Sequence, residues 1–197
     1  MTKPPDKVND FFETCLENIR KHAPYFSLSS DRQVNEADVA HVLSMELSKQ
    51  GEDSFHSVIS RGKTNDPPDC EAVSDKGERI GVEVTELVDG PSVAAEKRGC
   101  VSFQEAWKPS RVIEKITRII DRKDHAIPNG DPYELYILVV YCDDPLILDY
   151  ENLKAIRASN FPATQLIDRA YFLYSYGPFE KRCPYITLRL SKVLENT

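Results

Sequence analysis

The sequence predicts a mixed α/β fold, and three observations carry that expectation. Apolar residues recur at helical spacing in two well-delimited stretches, near residues 30–51 and 111–125. Short runs rich in β-branched and aromatic residues stand around them, bounded by proline, glycine and asparagine. Leu135 to Cys142 (LYILVVYC) is apolar almost throughout, as in a strand covered on both faces.

Taken in order, residues 1–28 form a polar lead-in and a helical extension, with Val8, Phe11, Phe12, Cys15, Leu16 and Ile19 at helical spacing. The remainder, 29–197, reads as a single α/β domain. Ser30 with Gln33 fits a capping box, and a helix runs from there to Gly51, a natural stop. Phe55–Ser60 (FHSVIS) is a strand, and the following RGKTNDPP is a loop. Residues 69–74 and 79–88 are two strands joined by the turn Ser74-Asp75-Lys76-Gly77. A weakly helical stretch follows Gly90-Pro91. Ser110 then caps a strong helix over 111–125, ended by Pro128 and Asn129-Gly130. After the 135–142 strand, Asp143-Asp144-Pro145 marks a turn, 149–158 a helix, and 169–175 and 185–190 two last strands. The order is helix, three strands, helix, strand, helix, two strands, with no internal repeat.

At 197 residues with 41% hydrophobic and 29% charged residues, the composition excludes global disorder and fibrous repeats. No apolar run approaches the roughly 18 residues of a membrane span, and MTKPPDKVND lacks the apolar core of a secretory signal. The expectation is a cytoplasmic protein without a membrane partner. Its cysteines, at 15, 70, 100, 142 and 183, are then reduced thiols, with Cys70 a small buried hydrophobe. Scattered histidines (His22, His41, His56, His125) argue against zinc. A net charge of −7, from 25 basic and 32 acidic residues, excludes nucleic-acid binding through bulk charge. A polyanion partner needs a local basic patch or bound metal ions. Lys181, Arg182 and Arg189 could form a small basic edge, though a solvated face explains them equally well; Trp107, Tyr171, Phe172, Tyr174 and Tyr176 read as core and interface.

The informative stretch is Pro68-Asp69 followed by Gly81-Val82-Glu83-Val84-Thr85-Glu86-Leu87. Strand alternation puts Glu83 and Thr85 on one face and Val82, Val84 and Glu86 on the other. If the two strands pair as a hairpin, the Asp69 and Glu83 carboxylates converge, and hard oxygen ligands in that arrangement suit Mg²⁺. Carboxylates more than about 8 Å apart would exclude it, because one Mg²⁺ sits about 2.1 Å from each ligand. Asp69 also suits a turn after a double proline, and Glu83 also suits the wet face of a half-covered sheet.

Here the sequence resembles the PD-(D/E)xK nuclease superfamily, with its restriction-endonuclease-like fold. Pro68 and Asp69 match the family's Pro and Asp, and Glu83-Val84-Thr85 occupies its Glu-x-Lys position, over a resemblance spanning roughly residues 30–142. Thr85 departs from the pattern, standing where the family carries lysine. The resemblance implies an αβββαβ core with a central mixed sheet flanked by helices. It also implies Mg²⁺ (or Mn²⁺) held by Asp69, Glu83 and the Val84 carbonyl, nucleic acid as substrate, and hydrolysis of phosphodiester bonds.

Two helices supply further candidates. Glu36 projects near the middle of the stripe formed by Val39, Ala40, Leu43 and Leu47, with Glu46 nearer its margin. A first-turn carboxylate favouring the helix dipole explains Glu36 equally; the family, whose first core helix often contributes an acid, points to Glu36 as a further metal ligand. On the 111–125 helix, Lys123 falls near the centre of the stripe of Val112, Ile113, Ile116, Ile119 and Ile120, whereas Lys115 lies at its margin. A snorkelling lysine at a helix end is one explanation. The other is a lysine moved onto the helix to do the work lost at Thr85, orienting water and steadying charge. The catalytic set is then Asp69, Glu83, Thr85 and Lys123. The alternative is a non-catalytic descendant of the fold, serving as a binding or assembly module with a protein partner or as a homodimer.

Overall fold

Helix α1 (Arg32–Lys49) opens the described part of the chain. The computed structural model describes residues 32–62, 64–88, 107–128, 130–142, 147–174 and 183–191, with side chains from residue 36 onward. The expected helix within 1–28, the Ser30–Gln33 capping box, the stretch after Gly90-Pro91, the Asp143-Asp144-Pro145 turn, Tyr176 and the Lys181–Arg182 edge lie outside the described residues. Val39, Ala40, Val42, Leu43 and Leu47 are the buried face of α1. It stops where Gly51 adopts φ +72° and the Gln50 and Glu52 amides both return to the Leu47 carbonyl at 3.0 Å, as a glycine-terminated helix does.

Three antiparallel strands follow: β1 (Phe55–Ser60), β2 (Cys70–Ser74) and β3 (Arg79–Glu86). The β2–β3 connection turns on Gly77 at φ +84°, whose amide donates to the Ser74 carbonyl at 2.9 Å. Helix α2 (Pro109–Asp124) carries the chain to β4 (Leu135–Cys142), which pairs parallel with β3. Helix α3 (Tyr150–Ala158), capped by the Asp149 side chain on the Asn152 amide, precedes the short β5 (Asn160–Phe161) and then β6 (Arg169–Tyr174), parallel to β4. Strand β7 (Tyr185–Leu190) runs antiparallel to β6 and parallel to β5. The result is a mixed seven-stranded sheet ordered β1-β2-β3-β4-β6-β7-β5. Strand β4 has a parallel neighbour on each side, and its residues Tyr136 to Val140 are all buried, which accounts for its unbroken apolar run.

The sheet has two apolar faces. Val82, Val84, Ile137 and Val139 pack with the α1 residues, whereas Tyr136, Leu138 and Val140 pack with Val112, Ile116, Ile119 and Ile120 of α2 and Ile156 of α3. Among the described residues no helix is long and apolar enough to cross a membrane. Cys70, Cys142 and Cys183 are buried free thiols.

One expectation is corrected, and one strand is added. Helix α2 starts at Pro109 with Lys108 at the cap position, and Ser110 lies inside the first turn. Proline's fixed φ and missing N–H make it a better first helical residue than a following serine makes a cap. Strand β5 was not foreseen, because two residues carry no detectable alternation.

Candidate functional site

Register alone brings the two motif acids together. Cys70 pairs with Val82, so Asp69, one residue earlier, stands opposite Glu83. The Val84 amide donates to Asp69 Oδ2 at 2.8 Å; the carboxylate serves β3 as one more ladder acceptor just beyond the end of β2. Asp69 and Glu83 are only 4% and 1% exposed, two acids sunk in the sheet. The exposed Asp66, from the other end of the Asp66-Pro67-Pro68-Asp69 run, completes the group: one oxygen from each of Asp66, Asp69 and Glu83 lies within 4.8 Å of the others.

Such crowding has an electrostatic cost. Burial pushes the Asp69 carboxyl above its ordinary range, opposed by the Val84 N–H and by the charge of Lys123. Burial and the Asp69 charge push Glu83 up to about 7, again opposed by Lys123. The Lys123 ammonium donates to Glu83 Oε1, reaching down from the last turn of α2. On the other oxygen, the Tyr136 hydroxyl donates to Glu83 Oε2 at 3.2 Å. Burial and the Glu83 charge raise the Tyr136 phenol well above its usual range, which keeps it a donor. Gly81 makes room for that ring: a Cβ there would lie 2.9 Å from Tyr136 Cδ2 and 3.1 Å from Tyr133 Cδ2.

The structure therefore gathers Asp69, Glu83 and Lys123, with the backbone of Val84 at their side. Thr85 lies two residues along the same face of β3 and lines a cavity with Lys115, Arg118 and Arg122. Glu36 is not brought into the acidic group. It sits half-buried on α1, the helix packed over the Val82–Val84 face, and its charge falls on the Cys70 thiol. Burial with the Asp69, Glu36 and Glu83 charges pushes that thiol up to about 12. Glu46, also on α1, is buried and paired with Lys49 at 2.6 Å. The period of α1 identifies its buried stripe, but not which face of the sheet that stripe covers.

Asp66 and Tyr136 escaped the sequence reading. Asp66 has a visible signal, the acid on the far side of the double proline; the other is a lone tyrosine hydroxyl in an otherwise aliphatic run. The arrangement presents oxygen donors of hard character, two of them buried and short of compensating charge, beside one ammonium. That donor set fits a small divalent cation with oxygen preference. Comparison with protein-family models, with curated proteins and with solved structures finds no match to this chain.

Proposed function

We propose that the chain is a Mg²⁺-dependent phosphodiesterase of the endonuclease type, acting on nucleic acid. The observation that carries this reading is the convergence of Asp66, Asp69 and Glu83 within 4.8 Å, with the Lys123 ammonium on Glu83. The order α1-β1-β2-β3-α2-β4 agrees with the αβββαβ core of the restriction-endonuclease-like fold, and supports assigning the chain to it.

Asp69 and Glu83 would hold the metal, with Asp66 at the open side. The Val84 carbonyl belongs to the same edge, because in antiparallel pairing it leaves β3 on the side of the amide that Asp69 accepts. A divalent cation there would supply Lewis acidity and a hydroxide nucleophile at neutral pH. Lys123 supplies the positive charge that Thr85 cannot: it orients the attacking water and offsets charge building on the phosphorus oxygens. Tyr136 fixes the rotamer of Glu83, so that its carboxylate faces the site rather than the core.

The non-catalytic module remains the second reading, favoured by one observation: Thr85 stands on β3 where the motif carries its lysine. One experiment separates the two. Wild type, Asp69→Asn and Lys123→Met are incubated with single- and double-stranded DNA and RNA in Mg²⁺, Mn²⁺ or EDTA, and Mn²⁺ binding is followed by thermal shift. The nuclease reading expects cleavage in metal only, a loss of at least about 100-fold in either variant, and a Mn²⁺ shift absent from Asp69→Asn. Wild-type protein that neither cleaves nor shifts at millimolar metal is the binding module.

A further inference from the structure

The cavity beside the acidic group carries its own signal. It has a volume of about 370 Å³ and is walled by the end of β3, with Thr85, and by α2, with Lys115, Arg118 and Arg122; Glu86 is the one acid in its lining. The cations are not scattered. Arg111, Lys115, Arg118 and Arg122 follow one another at alternating helical steps of four and three residues, so they form one row along α2, roughly 17 Å long at 1.5 Å per residue. The row ends beside Lys123, the residue bonded to Glu83. At its other end the buried Trp107 ring lies 4.1 Å from the Arg111 guanidinium carbon and 5.8 Å from Lys115 Nζ, which holds both side chains in place. Arg118 also pairs with Glu114 at 2.5 Å, on the solvent side of the helix.

We propose that this row and the cavity beneath it are the track for the sugar–phosphate backbone of a nucleic-acid strand, leading its scissile phosphate to the Asp66–Asp69–Glu83 group. The inference rests on the hydrolytic reading and adds the path of the substrate to it. In a chain of net charge −7, a cationic row is the local basic patch that a polyanion requires. Arginine predominates in it, and the guanidinium fork matches phosphate oxygens two at a time. An acidic peptide would meet the same row, and what selects a phosphodiester over it is the cation expected at the three carboxylates, for which the scissile phosphate is a ligand. Thr85, short and uncharged, leaves open the cavity that a lysine at that position would fill.

The test is binding, measured in EDTA so that neither metal nor chemistry enters. A fluorescein-labelled 12-nucleotide single strand is titrated by anisotropy, across a range of NaCl, into wild type, Arg118→Gln/Arg122→Gln, and Lys76→Gln/Lys154→Gln. The last removes the same charge from exposed positions outside the row. The row variant should bind at least tenfold more weakly at low salt, with a log–log salt slope shallower by about 1.4, or about 0.7 per lost phosphate contact. The single Arg122→Gln should lose half that slope, and the control should bind as wild type does. A row variant within twofold of wild type overturns the proposal. So does a control that loses as much, or polyglutamate of equal charge competing on equal terms when the cleavage-deficient Lys123→Met is titrated in Mn²⁺. A wild type that binds in this way but never cleaves overturns the hydrolytic reading alone.

Discussion

The position of the Glu83 carboxylate depends on a residue without a side chain. Gly81 lies under the Tyr136 and Tyr133 rings, and an added Cβ would come within 2.9 Å of the first, closer than carbon atoms pack, and within a tight 3.1 Å of the second. The rings would have to lift, and with them the Tyr136 hydroxyl that donates to Glu83 Oε2. Gly81→Ala should therefore cost about 1–3 kcal/mol in urea unfolding and lower metal-dependent cleavage as well. Tyr136→Phe isolates the hydroxyl: it keeps the packing, loses about 1–3 kcal/mol from the bond to a buried acid, and should weaken Mn²⁺ binding measured by calorimetry. A Gly81→Ala protein with wild-type stability and Mn²⁺ affinity would show that the ring has slack. At this scale the sequence was partly legible. Asp69 and Glu83 could be paired because strand period and a two-strand turn determine a register. Asp66 could not, since its place depends on the path of a loop, nor could Tyr136, since partners across a parallel strand pair leave no local pattern.

Among the elements, α2 does most to assemble the site, and its anchor is the residue after Lys123. The Asp124 carboxylate accepts from the Gln165, Leu166 and Ile167 amides at distances from 2.8 to 3.1 Å. This ties the end of the helix to the segment leading into β6. The helix then presents Lys123 inward at Glu83, while Val112, Ile116, Ile119 and Ile120 bury the rest of that face. Asp124→Ala leaves three amides without that acceptor and should cost about 2–4 kcal/mol. It should also reduce kcat more than it raises KM, because the ammonium is misplaced while the binding row on α2 remains. Equal effects on both parameters would mean that the whole helix moves. The apolar stripe of α2 was legible from its period, and so was the inward aim of Lys123. The period of α1 was less informative: it identifies the buried stripe but not which side of the sheet receives it. Glu36 is not among the three acids that converge, though its charge acts with those of Asp69 and Glu83 on the Cys70 thiol.

At the scale of the whole molecule, a seven-stranded sheet covered by α1 on one face and by α2 and α3 on the other leaves two buried carboxylates where β2 gives out. Stability and metal binding are thereby coupled. In the metal-free protein Glu83 titrates at about 7, against an ordinary 4.5. Because the folded-state value is the higher one, the folded protein holds a proton that the unfolded chain has already released between pH 4.5 and 7. The Glu83 contribution is therefore most favourable below about 4.5, is lost as pH rises to about 7, and is level above that. Asp69, also held above its usual range by burial, acts in the same sense, whereas Glu71, beside Arg79, and Asp53, beside Arg169, are held below theirs and act in the opposite sense only at lower pH. In EDTA, the Tm of wild type relative to Glu83→Gln should fall between pH 4.5 and 7 and then flatten. Saturating Mn²⁺ should reverse the sign, because a cation that binds the ionised carboxylates stabilises the folded state more as they deprotonate. A Tm difference that ignores pH in EDTA would show that Lys123 alone keeps Glu83 ionised. The pair would then be a closed ion pair, and the case for a divalent cation at this edge would fail with it.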